Sequence, residues 1–198
     1  MVASELPSQS VIIDVGCGNG RDTFFFGDCG HVTIGLDASK TAVDVDLDQL
    51  SKHRRDRVRF EHFTVGHDKI SDLIDGGLPS EAAGLPVVLY SRFFLHAITE
   101  DVEDLFVRDL SACADRINLA YLEYRELRDA AVNKVYGDHY RRYIDPDAFS
   151  DKVAEQGQLK LAYQVVAQGL AKFHDEDPWI ARQVFARHTG RQLGERAG

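Results

Sequence analysis

Cysteine is scarce in this chain of 198 residues, and long hydrophobic segments are absent. The three cysteines, Cys17, Cys29 and Cys113, are odd in number and show no C-x-x-C spacing, which favours reduced thiols over a disulfide framework or a zinc site. No apolar run approaches the roughly 20 residues that a membrane-spanning helix needs. The start, MVASE, lacks the basic and apolar parts of a secretory signal. We therefore expect a cytoplasmic protein without a membrane span.

Positive charge is also in short supply. The 23 lysines and arginines stand against 32 aspartates and glutamates, which gives a net charge of -9. Because proteins that bind nucleic acid usually present a broad basic surface, we expect no nucleic-acid partner. A local basic run over residues 52–57 follows a predicted helix, where cations are typical of a solvated loop.

The chain does contain an apolar run that ends in three alternating glycines. Residues 11–15 read VIIDV, and four of the five are β-branched aliphatics, as in a strand buried on both faces. The GCGNG sequence over residues 16–20 permits a tight turn and lets a ligand approach main-chain N–H groups, which suit an anionic group. One acid, Asp14, lies two residues before the first glycine, and Asp37 lies seventeen residues after the last.

The spacing of the glycines separates two classes of nucleotide site. A dinucleotide fingerprint is G-x-G-x-x-G, whereas this loop is G-x-G-x-G. It resembles the first motif of the class I S-adenosylmethionine-dependent methyltransferases, D-x-G-x-G-x-G, whose second strand ends in an acid that binds the ribose hydroxyls. The resemblance implies S-adenosylmethionine as the cofactor. The alternative interpretations of the loop are a glycine-rich α/β turn without a ligand and a nucleotide site of another kind. The cofactor-binding residues that the resemblance implies are Asp14, Gly16, Cys17, Gly18, Gly20, Asp37, Ala38 and Ser39.

Helix and strand patterns alternate along the chain, which predicts an α/β fold with a mostly parallel sheet covered on both faces. Helices are predicted after the glycine loop, over residues 39–52, after a Thr99 cap and after an Asp145 cap. The order matches the family's Rossmann-like, doubly wound, seven-stranded sheet with an antiparallel last strand, in one domain over residues 1–198. The predicted strands cover residues 11–15, 31–36, 58–65, 85–90, 117–122, 159–166 and 180–188.

The chain departs from the family pattern at two places. Only ten residues precede the first strand, where many members carry extra helices; this indicates either a fusion or partner domain at the N-terminus or a member with an open site. Many members also carry an acid after the third strand that meets the adenine amino group. The corresponding position in this chain lies near Thr64, so the resemblance implies that the Thr64 hydroxyl or backbone groups contact the adenine.

The segment YSRFFLHAI, residues 90–98, lies past the carboxyl end of a central predicted strand, where open α/β sheets bind ligands. In the family this position abuts the methionine part of the cofactor, which makes Ser91 and Arg92 candidates for the cofactor wall. Residues 93–95 are expected in the core. His96 is either a structural, hydrogen-bonding histidine, which we favour, or a base in the pocket.

Two further clusters are candidates for substrate contacts. Glu123 and Arg125 point the same way from an extended backbone, so they either reach a pocket together or neutralise each other. The segment DHYRRY, residues 138–143, lies where this fold usually grows its substrate-recognition insert. Its arginines suit an anionic or sugar ligand, unless they pair with Asp138 or Asp145. The candidate substrate-binding residues are Arg125, Tyr140, Arg141 and Arg142.

Methyl transfer from a sulfonium needs mainly placement of the acceptor and exclusion of water. A hydroxyl acceptor also needs a base, and the candidates are His139, His96 and Glu123. No H-E-x-x-H motif or clustered aspartate pair indicates a metal. The R-F-F-L-H, E-x-R and H-Y-R-R segments resemble bacterial methyltransferases of glycan or secondary-metabolite pathways.

We therefore predict a methyltransferase that acts by in-line displacement on a small-molecule or glycan acceptor, at oxygen. The alternatives are a catalytically silent S-adenosylmethionine-binding domain of a larger protein and a nucleotide-dependent oxidoreductase, which the glycine spacing disfavours.

Overall fold

A computed structural model describes residue 6 and residues 9–52, 55–132 and 140–187. Its seven strands form one sheet in the order β3-β2-β1-β4-β5-β7-β6. All neighbouring strands are parallel except β7, which is antiparallel to β5 and to β6. The strands are β1 (Val11–Val15), β2 (Val32–Asp37), β3 (Val58–His62), β4 (Val87–Arg92), β5 (Leu119–Arg125), β6 (Leu159–Ala167) and β7 (Ile180–Arg187). The predicted Rossmann-like sheet with an antiparallel last strand is confirmed.

Five α-helices connect these strands: α1 (Arg21–Asp28), α2 (Lys40–Lys52), α3 (Ile70–Asp72), α4 (Glu100–Ala112) and α5 (Pro146–Glu155). A π-helical turn, Leu73–Gly77, continues α3, and short 3₁₀ turns cover Ser80–Ala82, Leu95–Ala97 and Leu127–Ala131.

The two predicted helix caps differ. Asp145 caps α5 as predicted, because one carboxylate oxygen accepts from the N–H groups of Asp147 at 2.9 Å and Ala148 at 3.3 Å. Thr99 stands at the N-cap position of α4 as predicted, but its side chain makes no capping hydrogen bond.

The bounds of three strands differ from prediction by two residues or more. β3 ends at His62, opposite Asp37, because β2 offers it no partner beyond that residue. β4 begins at Val87, after a proline that has no N–H for the ladder. β5 extends to Arg125 because β7 pairs with it that far, so Glu123 and Arg125 lie within the strand.

The core occupies both faces of the sheet, with β1 at its centre. All five residues of β1 are buried, which accounts for its run of β-branched side chains. Ile13 packs on one face with Leu89 and Phe106, while Ile12 packs on the other with Phe26. The strand order reverses between β1 and β4, so a crevice opens between the segments that follow these two strands.

Three further sequence predictions concern a membrane span, the cysteines and the N-terminus. None of the helices among the described residues is long and apolar enough to cross a membrane. The three cysteines are free thiols, with Cys113 buried and Cys29 exposed. Residues 1–5 lie outside the described residues, so the partner domain expected at the N-terminus stays a prediction.

Candidate functional site

The glycine loop, residues 16–20, joins β1 to α1 at the carboxyl edge of the sheet. Gly16 has a φ of 75° and Gly20 a φ of 65°, both in the left-handed region. A Cβ on Gly16 would lie 2.6 Å from the Phe94 ring, and a Cβ on Gly20 would lie 2.7 Å from the Phe60 ring. The N–H groups of Gly16 and Cys17 donate to the carbonyl of Leu36, at 2.8 and 3.1 Å. The loop therefore fits closely against β2, β3 and the segment after β4.

Asp37 ties this loop to the end of β2. One of its carboxylate oxygens accepts from the N–H of Gly18 at 2.9 Å, and the other accepts from the N–H of Ser39 at 2.8 Å. Because each oxygen accepts only one of these hydrogen bonds, each keeps a lone pair for a ligand. The side chain is half-buried and faces a cavity. An acid held in this way suits a pair of vicinal hydroxyls.

The cavity beside Asp37 has a volume of about 490 Å³ and a mostly apolar wall. Ala38 and residues 63–65 form one side, and Phe94, Ala97 and Ile98 form the other. Thr64, which the resemblance implies as an adenine contact, lies in this wall. A narrow apolar cavity with a carboxylate at its end suits a nucleoside. We call it the apolar cavity.

A second cavity of about 280 Å³, the polar cavity, lies on the other side of Gly16. Asp14, residues 16–19 and Asp22 line it together with two arginines, Arg21 and Arg92. Acids and guanidinium groups in one cavity suit a ligand that carries both an ammonium and a carboxylate.

Phe93 lies where the two cavities meet. It lines both of them, and its φ of 62° is unusual for a residue other than glycine. Such strain is found most often at functional sites. The expected core packing holds for Leu95, which is 1% exposed, and for Phe94, which packs against the core. Phe93 instead walls the site, and only its position just after a central strand could have indicated this.

Asp14 lies behind the polar cavity and is 2% exposed. Its carboxylate accepts a hydrogen bond from the Thr23 hydroxyl at 2.6 Å. Burial raises the pKa of Asp14 to about 7, against the lowering effect of that hydrogen bond. Burial likewise raises the pKa of the Cys17 thiol, which keeps this loop cysteine neutral.

Asp22 is a site residue that the sequence interpretation missed. It accepts from the Tyr90 hydroxyl at 3.0 Å and forms an ion pair with Arg92 at 3.1 Å. Although burial acts in the opposite direction, the Arg92 guanidinium and these hydrogen bonds hold the pKa of Asp22 below its ordinary value. The sequence signal that could have identified Asp22 is its position as an acid in the first turn of the helix that follows the glycine loop.

Ser91 and Arg92 were both predicted at the cofactor wall, but they occupy different positions relative to the polar cavity. Ser91 is 1% exposed and donates to the carbonyl of Val15 at 2.9 Å, so it supports the loop from behind. Arg92 lines the polar cavity, with its guanidinium 4.8 Å from the centre of the Phe93 ring. Its Nε donates to Glu123 at 2.7 Å.

Glu123 and Arg125 do not neutralise each other. Glu123 lies between Arg92 and Arg182, each of which donates to one of its two oxygens. Arg125 pairs instead with Asp129 at 2.7 Å and with Glu176 at 2.6 Å. A base needs a lone pair directed at the acceptor, and these contacts favour a positioning role for Glu123.

His96 is 7% exposed, and its contacts favour the structural interpretation. Its Nδ1 accepts from the backbone N–H of Arg125 at 3.4 Å, and its carbonyl accepts from the N–H of Arg142 at 2.8 Å. The ring also meets Phe93 edge to face, with 5.5 Å between ring centres. The histidine thus joins β5 to the segment over residues 140–144.

The substrate candidates near residue 140 divide into two groups. Arg142 pairs with the buried Glu103 at 3.2 Å and so holds the segment against α4. Asp138, one of the two partners that the sequence alternative named, lies outside the described residues. Tyr140 is 59% exposed and Arg141 is half-buried. His139 lies outside the described residues, so its role as a base stays a prediction.

Known structures share this fold. A TehB-like S-adenosylmethionine-dependent methyltransferase from Corynebacterium glutamicum matches with a TM-score of 0.63 and 18% identity, over 94% of this chain and 84% of that one. The glycopeptide N-methyltransferase MtfA, solved with S-adenosylhomocysteine, matches with a TM-score of 0.66 and 12% identity, over 94% and 88% of the two chains.

The magnesium protoporphyrin IX methyltransferase of Synechocystis matches with a TM-score of 0.66 and 12% identity, over 94% of this chain and 77% of that one. No protein-family model matches the chain, and no curated protein matches it. The similarities establish that the chain has the fold of the class I methyltransferases, as the sequence predicts.

Proposed function

We propose that this protein is an S-adenosylmethionine-dependent methyltransferase. The observation that carries the proposal is the pair of cavities that meet at Gly16 and Phe93, one apolar with Asp37 at its end and one polar. Together they suit a single ligand with a nucleoside at one end and an amino acid at the other. The fold shared with known methyltransferases supports the same proposal.

The residues present fit this cofactor. The adenine belongs in the apolar cavity near Thr64 and Ile98, and the ribose hydroxyls belong at Asp37, whose oxygens face that cavity. The amino-acid end belongs in the polar cavity, where Asp22 suits its ammonium and Arg92 suits its carboxylate. Asp22 and Arg92 already form an ion pair, so the ammonium and the carboxylate of the ligand would both join an existing charge network.

When bound, S-adenosylmethionine supplies an electrophilic methyl group on a positively charged sulfur. The chain then has to align an acceptor with that methyl group and keep water away. Phe93 is the residue placed for this, because it stands at the junction of the two cavities, and its backbone N–H is fixed by the Glu123 carbonyl at 2.8 Å. Arg92 stacks on its ring and supports it from β4.

We further propose that the acceptor is a small molecule or a glycan, methylated at oxygen. Tyr140 and Arg141 support this, since both retain exposed surface beside the segment that His96 and Arg142 anchor. Removal of a hydroxyl proton would fall to His139, since each oxygen of Glu123 is paired with an arginine and Nδ1 of His96 accepts a backbone hydrogen bond. A carboxylate acceptor would need no base, and arginine would only orient it.

The first test is calorimetric binding of S-adenosylmethionine, S-adenosylhomocysteine and NAD to the full chain and to its Asp37→Ala variant. We expect the sulfur-containing ligands to bind the wild type and Asp37→Ala to weaken them by about 10-fold or more, because a charged hydrogen bond to the ribose is lost. Asp44→Ala is the matched control, since Asp44 is exposed on α2 and pairs only with Lys40 among the described residues. A preference for NAD, or no binding at all, would overturn the proposal.

A further inference from the structure

One carboxylate near the glycine loop has no part in the contacts described so far. Asp46 of α2 is 0% exposed, and no described residue donates a hydrogen bond to either of its oxygens. The neighbouring aspartates of the same helix, Asp44 and Asp48, are exposed and pair with lysines. A buried, unpaired carboxylate destabilises a fold, whereas an apolar residue would fill the same position without that cost.

The side chain of Asp46 points at the loop. Its Cγ is 3.0 Å from the position that a Cβ on Gly20 would take, beside the Phe60 ring that also packs under Gly20. The titratable groups that interact with it electrostatically are Asp37 from β2 and the Cys17 thiol from the loop. His62, two residues after Phe60 on β3, can carry a positive charge, but its ring contacts the carbonyl of Ala38.

Asp46 adds to a local excess of negative charge. Asp14, Asp22 and Asp37 also lie against the loop, and the cations on the same side are Arg21 and Arg92, both of which contact Asp22. Asp14 and Asp46 form no salt bridge within the described ranges. The underside of the loop therefore carries two buried carboxyl groups that have no ion-pair partner among the described residues when they are ionised.

The cofactor and its product differ in charge at the sulfur atom. S-adenosylmethionine carries one more positive charge than S-adenosylhomocysteine, on the sulfur that loses its methyl group. Interactions between charges are stronger in a poorly solvated site than in water. Buried negative charge beneath the loop therefore stabilises the bound cofactor more than the bound product.

We infer that Asp46 is a specificity-determining residue, whose buried carboxylate makes the site prefer the cationic cofactor to the uncharged-sulfur product and so favours product release. This inference rests on the proposed function. The preference requires an ionised Asp46. Because burial raises the pKa of Asp46 to about 6, its carboxylate is charged above that pH and neutral below it.

The test is the ratio of the dissociation constants of S-adenosylhomocysteine and S-adenosylmethionine, measured by calorimetry on the full chain across the acidic to weakly basic range. We expect Asp46→Asn to lower this ratio about 3- to 10-fold at basic pH, through weaker binding of S-adenosylmethionine, as the loss of one nearby charge predicts. The difference from wild type should vanish well below the pKa of Asp46. Asp48→Asn, a matched change on the exposed face of α2, should leave the ratio unchanged at every pH.

The outcomes are distinct. If the wild type binds neither ligand, the proposed function fails. If it binds both and Asp46→Asn weakens both equally, or leaves the ratio at the wild-type value, the inference about Asp46 is overturned while the proposed function stands. Asp46→Ser, a smaller neutral side chain, repeats the measurement if the asparagine variant does not fold.

Discussion

At the scale of single residues, the glycine loop depends on backbone conformation and on space. Gly16 needs glycine for both reasons, since its φ is 75° and a Cβ would lie 2.7 Å from the Cβ of Phe94. Gly18 needs it for conformation alone, since its φ is 57° and nothing lies within 4 Å of the added atom. Gly76, with open space and no positive φ, needs it for neither reason.

These three glycines predict a graded series of alanine variants. Gly16→Ala should lower the free energy of unfolding by about 2–5 kcal/mol, from left-handed strain plus overpacking. Gly18→Ala should lower it by about 1–2 kcal/mol, from strain alone. Gly76→Ala should stay within about 0.5 kcal/mol of wild type. Urea denaturation measures all three, and equal losses at Gly16 and Gly18 would contradict the close contact with Phe94.

At the scale of elements, the helices that flank the site start in different ways. α5 begins with a side-chain cap, because Asp145 accepts from two backbone N–H groups, and a proline follows it. α4 begins at Glu100, after an N-cap residue, Thr99, that makes no side-chain hydrogen bond. Its first turn instead carries Glu100, Asp101 and Glu103, whose charges suit a helix N-terminus. Sequence pattern located both starts, but only the structure separated a bonded cap from an unbonded one.

The two helix starts form a matched pair for measurement. Asp145→Ala should lower the free energy of unfolding by about 1 kcal/mol, because two N–H groups lose their acceptor. Thr99→Ala should change it by no more than a few tenths of a kcal/mol, since no capping bond is present to lose. Thermal or urea unfolding of both variants decides this, and a larger loss from Thr99→Ala would show that its hydroxyl does cap α4.

At the scale of the whole molecule, the sheet topology gathers charged residues that are far apart in sequence. Asp22 from α1, Arg92 from β4, Glu123 from β5 and Arg182 from β7 form one continuous chain of ion pairs. Pairing of β5 with β7 places Glu123 opposite Arg182, and pairing of β4 with β5 places Arg92 opposite Glu123. This series of ion pairs ends at the polar cavity, so it connects the antiparallel part of the sheet to the proposed cofactor site.

Replacement of Glu123 separates its two possible roles. As a link between two arginines, Glu123→Gln should lower the free energy of unfolding by about 1–3 kcal/mol, because both guanidinium groups lose a charged partner while remaining partly solvated. It should also weaken S-adenosylmethionine binding by releasing Arg92. A variant with wild-type stability and cofactor affinity, but with methyl transfer reduced at every pH, would instead identify Glu123 as the base.

The glycine loop, the fold class and the acid at the end of β2 can all be predicted from sequence pattern alone. The alternation of apolar segments, the three glycines and Asp37 act through local rules of strand burial, turn geometry and helix capping, which need no knowledge of distant contacts. Strand limits were less accurate, because the end of a strand depends on its neighbour, as β7 shows by extending β5 to Arg125.

The charge partners, and the roles that follow from them, become visible in the tertiary structure. It placed Glu123 between two arginines, paired Arg142 with Glu103 and left Asp46 buried without a partner under Gly20. It also turned Phe93 from a core candidate into a wall shared by two cavities. Ion pairs and buried charges depend on which strands and helices meet in space, and the spacing of residues along one chain does not specify that meeting.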